Sequence, residues 1–198
     1  MYNFTVPMAL MDFVPVVFFG LTAMLLLRSL FNKMDKGIYV LLMTGSVSVF
    51  LAGFCEALWK LLYAAGICDF AALNTMFLPT QSIGFLLAGV GIILMMTTKK
   101  RVMAAVAPPL FSGSVIFIMM MVLGLGSICT VLSIIAVKMK KKSAMVLFIL
   151  AFVASMGMGA MSGQDATLAW VNWTEQTINC VGQGLLMWGV IILHKSGL

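Results

Sequence analysis

The chain has 198 residues, 63% of them hydrophobic and only 9% charged, with a mean hydropathy of +1.14. A soluble domain carries about 25% charged residues, so a soluble globular protein is excluded. The net charge of +6 is not a nucleic-acid footprint, because the basic residues fall in short runs between apolar stretches, and no nucleic-acid partner is expected.

Several apolar runs long enough to cross a bilayer point to an all-α, polytopic integral membrane protein, with residues 1–198 as one transmembrane helical domain. The alternating segments of roughly ten residues that mark a β-barrel are absent. Met1–Met8 lacks the basic start of a signal peptide, so the first apolar segment is expected to remain as a span.

Taken in order, segment 1 is predicted over Met8–Phe31, with Asp12 and Pro15 near its start. Segment 2 covers Gly37–Tyr63 and carries Glu56 and Lys60 at i,i+4 spacing. Segment 3 covers Ala71–Thr98, with Asn74, Pro79 and Gln81, and ends at Lys99-Lys100-Arg101. The next apolar stretch, Val102–Val137, is too long for one span of about 20 residues and short for two. Basic clusters flank both of its ends, and both prefer the cytoplasmic side. The stretch is therefore divided into segment 4, Val102–Met120, kinked by Pro108-Pro109, and segment 5, Val122–Val137, with a tight outer turn between them. One long tilted helix is the alternative. Segment 6 covers Ser143–Ser162, where Ser155, Gly159 and Gly163 form a small-residue face. Segment 7 covers Trp170–Leu193.

Seven spans result, with the N-terminus outside and the C-terminus inside. Of the 12 Lys and Arg, only Lys60 falls outside. Trp59, Trp170 and Trp173 are expected at the outer interface. This orientation suits the plasma membrane. A faint repeat relates Lys33-Met34-Asp35-Lys36 to Lys138-Met139-Lys140-Lys141, and Gly84…Gly91 to Gly184…Gly189. It suggests a 3+1+3 arrangement of two parallel three-helix units, and chance similarity explains it as well.

Segment 7 carries the clearest functional signal. Asn172, Glu175, Gln176, Asn179 and Gln183 fall within about 100° of helical arc, one polar stripe on an apolar helix. A charge at mid-bilayer costs roughly 2.5–3.5 kcal/mol on insertion scales, so the stripe must face other helices or water. Counting residues from the span ends puts Asp12, Glu56, Lys60, Asn74, Asn172 and Glu175 in the outer third and Gln81, Asn179 and Gln183 near the middle. If they converge, they outline a funnel with carboxylates at its mouth and amides at its floor. Each member also has a plain reading: a surface pair for Glu56 and Lys60, a solvated helix end for Asp12, interhelical hydrogen bonding for the amides.

The expected ligand is a small polar or cationic solute. Glu175 is assigned charge recognition, Glu56, Asp12 and Asn74 sit at the mouth, and Asn172, Gln176, Asn179, Gln183 and Gln81 provide orientation. No histidine–cysteine–carboxylate cluster suggests a metal, no cofactor is expected, and the four cysteines show no paired spacing. Transport is the first reading, with a homo-oligomer or a partner membrane subunit left open. Seven spans with this orientation resemble rhodopsins and G-protein-coupled receptors in topology alone, and segment 7 lacks the lysine a retinal Schiff base requires. A receptor or sensor is therefore the second reading. An enzyme acting on lipid is the third, since no base or nucleophile is evident.

Overall fold

The computed structural model describes residues 4–97, 114–161, 164 and 168–198. Among these the chain is all helix. Six helical stretches are long and apolar enough to cross a membrane: Val6–Leu30, Lys36–Ala64, Ala71–Thr97, Val115–Lys138, Lys142–Met161 and Ala169–Lys195. Residues 102–113 of segment 4, with Pro108-Pro109, and Gly163 lie outside the described residues, while residues 115–120 belong to the fourth of these stretches.

Two of the six stretches are broken near one end. α1 (Val6–Met11) and α2 (Phe13–Leu30) meet at Asp12; α4 (Ala71–Thr75) and α5 (Phe77–Thr97) meet at Met76. The cause is the same in both. Proline has no N–H, so Pro15 cannot bond the Met11 carbonyl and Pro79 cannot bond that of Thr75. The other helices are α3 (Lys36–Ala64), α6 (Ser114–Lys138), α7 (Lys142–Met161) and α8 (Ala169–Lys195).

The turn expected between Met120 and Val122 is not present. α6 is one unbroken helix from Ser114 to Lys138. No proline or charged residue interrupts Ser114–Val137, and Gly124 and Gly126 are accommodated by neighbouring helices rather than by a turn.

Side-chain contacts fix the helix directions. α2 and α3 are antiparallel: Asp12 meets Lys60, Gly20 meets the Phe50 ring, and Phe31 meets Tyr39. α3 and α5 are antiparallel through Val49–Gly84, Gly45–Ala88 and Leu42–Gly91. α7 and α8 are antiparallel through Gly157–Ile178, Ala154–Gly182 and Phe148–Gly189. α6 and α7 form a hairpin in which Gly126 faces Phe152. α8 runs parallel to α2: Gly184 faces Phe18, and His194 Nδ1 lies 2.7 Å from Ser29 Oγ. Lys33 Nζ adds a bond of 2.8 Å to the Gly197 carbonyl. Hence α2, α5, α6 and α8 run one way and α3 and α7 the other. The neighbours close a ring in the order α2, α3, α5, α6, α7, α8 and back to α2.

Inside the ring lie Leu42, Val49, Phe85, Ile92, Leu132, Phe148, Leu186 and Val190, all buried. Apolar residues on the outer faces, such as Val17, Met24, Leu51 and Trp188, remain exposed, as a lipid-facing surface requires. The tightest approach is between backbones. A Cβ on Gly45 would lie 2.5 Å from the Ala88 nitrogen, and one on Gly124 would strike the Phe85 backbone. These are glycine sites because no side chain fits there.

Equivalent contacts recur in the two halves of the ring. Gly20 against Phe50 in α2–α3 matches Gly126 against Phe152 in α6–α7. Gly84 and Gly91 of α5 face α3, as Gly182 and Gly189 of α8 face α7. Within each pair the spacing is i,i+7, two helical turns.

Candidate functional site

The charged groups of segments 1 and 2 form one cluster. Lys60 Nζ lies 2.9 Å from Asp12 Oδ2 and 2.9 Å from Glu56 Oε1. The i,i+4 spacing on α3 accounts for the second contact. The first depends on the α1/α2 break, which places Asp12 at the joint between two helices. Asp12 is not a solvated helix end: it is 7% exposed. Nor do Glu56 and Lys60 form an isolated surface pair, since Asp12 completes a triad.

An aromatic lid covers the lysine. The Phe4 ring centroid is 5.9 Å from Lys60 Nζ, and the Phe4 ring packs edge-on against Trp59 and Tyr63. Trp59 is buried against the protein, and its Nε1 donates to the exposed Asp69 Oδ1 at 2.9 Å. Trp170 and Trp173 are exposed. The sequence reading omitted Lys60 and Phe4 from the recognition set. The one charge of opposite sign among the outer acids was the signal for Lys60; nothing marked Phe4.

The polar stripe of α8 faces the ring interior. Leu186 lines a central cavity with Phe19, Thr22, Leu42, Ser46 and Leu132. On helical geometry Glu175 and Asn179 lie within about 20° of Leu186, stacked toward the other end of α8. Lys60 is five turns from Leu42 on α3, and so shares its face. Glu175 is half-buried and close enough for its charge to act on Lys60, Glu56 and Asp12. Two carboxylates thus hold one ammonium, with Glu175 as a third acid at the same end of the ring.

The amides divide. Asn172 is buried, with Nδ2 donating to the Leu168 carbonyl at 3.3 Å. Gln176 is buried and Gln183 half-buried, and the Oε1 of each is enclosed without a hydrogen bond among the described residues. An enclosed acceptor without a donor costs about 1–3 kcal/mol. Asn179 is half-buried. Gln81, one turn from Phe85, and Asn74, in α4, are also half-buried.

Below this polar layer the ring is closed. Phe19 and Phe85 meet edge to face, with centroids 5.8 Å apart. The central cavity measures about 20 Å³, room for about one water molecule. This apolar layer lies beneath the charged groups, under the level where the amide floor of the funnel was expected. No cluster of three or more metal-ligating side chains exists among the described residues. All four cysteines are free, including Cys55 and Cys68.

No family model, curated protein or solved structure matches this chain. Function is therefore argued from the site.

Proposed function

We propose that the protein is a seven-crossing plasma-membrane protein that binds a small cationic or polar solute at the Asp12–Glu56–Lys60–Glu175 end, and that it transports that solute. The observation that carries the reading is a primary ammonium held at 2.9 Å by the carboxylates of Asp12 and Glu56, with Glu175 of α8 as a half-buried third acid at the same end. Of these three acids, Glu175 alone has no ion-pair partner within 4 Å among the described residues. It is the one available to an incoming cation. The enclosed oxygens of Gln176 and Gln183 are acceptors for a donor on the same solute.

The helix directions support seven crossings. α5 and α6 run parallel, so the chain leaves one at the end opposite to where it enters the other, and a crossing between Thr97 and Ser114 reconciles them. The lysine-rich end then lies in the cytoplasm and the charged triad outside. The matched glycine contacts support a 3+1+3 plan of two parallel units. In transporters with such repeats, substrate sits at the interface between the units. On this plan Glu175 of α8 and Asp12 of the α1/α2 joint belong to different units, and the packing of α2 against α8 brings those units together.

A sensor is the second reading, favoured by the closed core under the site: a pocket without an inward path binds without flux. Reconstituted vesicles discriminate the two. Uptake of radiolabelled methylammonium, the smallest analogue of the Lys60 head, is expected in wild type. Glu175→Gln is expected to reduce it at least tenfold with unchanged expression. Binding without uptake assigns the sensor role, and uptake unaffected by Glu175→Gln removes that residue from the site.

A further inference from the structure

A second cavity, of about 560 Å³, lies between α6 and α7 toward the lysine-bearing end, far from the charged triad. Its α6 wall is Gly126, Thr130, Ser133 and Val137; Ile149 and Phe152 face them from α7. From Lys138 to Gly126 it runs twelve residues along α6, about 18 Å, close to the roughly 15 Å depth of one leaflet's hydrocarbon. The groove is open along one side and its lining is almost wholly apolar up to Lys138, a shape that accepts an extended acyl chain.

The mouth of the groove is basic. Lys138 lines it, and Lys140, Lys141 and Lys142 project from the adjoining turn, all exposed. The turn is fixed by Lys140 in the left-handed conformation (φ 59°) and by the Lys141 N–H bonding the Ala136 carbonyl at 2.8 Å. None of the four has a carboxylate within 4 Å among the described residues. Unpaired lysines at the mouth of an apolar, leaflet-deep channel complement a phosphate head on an acyl tail.

We propose that this groove is a specific site for one anionic phospholipid of the adjacent leaflet. One acyl chain runs between α6 and α7 down to the Gly126–Phe152 contact, and the lysines hold the phosphate. The test is native mass spectrometry of the full-length, delipidated protein titrated with phosphatidylglycerol or phosphatidylcholine. One phosphatidylglycerol per chain is expected, preferred at least tenfold. Thr130→Trp and, separately, Ile149→Trp fill the groove from exposed positions and are expected to abolish the retained lipid. Lys138→Gln with Lys141→Gln is expected to weaken phosphatidylglycerol about 25-fold, roughly fivefold per lysine, and leave phosphatidylcholine unchanged. Lys140 and Lys142 are kept so that membrane orientation is preserved. Equal affinity for the two lipids overturns the proposal. So does phosphatidylglycerol retained by a folded Thr130→Trp or Ile149→Trp variant, or a dimer in place of the lipid adduct.

Discussion

Lys60 holds the charged cluster together. Its ammonium separates two carboxylates that would otherwise face each other in a poorly hydrated setting, and its side chain is 14% exposed against 8% for Asp12 and 21% for Glu56. Removing one partner of a fully buried pair costs roughly 3–5 kcal/mol. Partial exposure should bring Lys60→Met to or below the lower end of that range, read as a fall in melting temperature in detergent. Adding Asp12→Asn to Lys60→Met is expected to recover part of the loss, since one of the opposed charges is then gone. A Lys60→Met variant that melts like wild type would show that the triad contributes no stability. Much of this cluster was legible in the sequence, because counting residues from span ends puts Asp12, Glu56, Lys60 and Glu175 at one depth. The burial of Trp59 was not, since nothing in the sequence shows that Phe4 and Tyr63 pack against its ring.

At the scale of elements, two kinds of residue shape the helices. Pro15 and Pro79 break their helices three residues upstream, at Asp12 and Met76, and the first break delivers a carboxylate to the site. Glycines set the spacing. Gly124→Leu is expected to force α5 and α6 apart, because its side chain would enter the Phe85 backbone. Overpacking costs about 1–3 kcal/mol where side chains can yield, and more is expected against backbone. Gly159→Ala is the control, since a Cβ there meets nothing within 4 Å among the described residues. Equal melting temperatures for the two variants would contradict the packing described. The span ends followed from apolar runs and basic clusters. The course of α6 did not, because a purely apolar stretch carries no periodic signal to locate a turn. Charge argued for a turn between Met120 and Val122, where α6 is continuous.

Over the whole molecule, a ring of helices faces lipid on the outside and encloses a layered interior: charges and amides at one end, aromatic and aliphatic side chains beneath, lysines at the other end. The sequence showed the stripe on α8 but not what it faces; that needed Leu186 to be placed against α2, α3 and α6. The account's central claim is that the stripe faces water from the triad end. Single cysteines at Glu175, Asn179, Val181 and Leu186, in a background without the four native cysteines, would be challenged in membranes with an impermeant thiol reagent from the outer side. Val181 points to lipid and Leu186 to the apolar core. Labelling at 175 and 179, with 181 and 186 spared, is the predicted result. Labelling absent at 175 and 179 would mean that the stripe is dry helix–helix contact, and would contradict solute binding at this end.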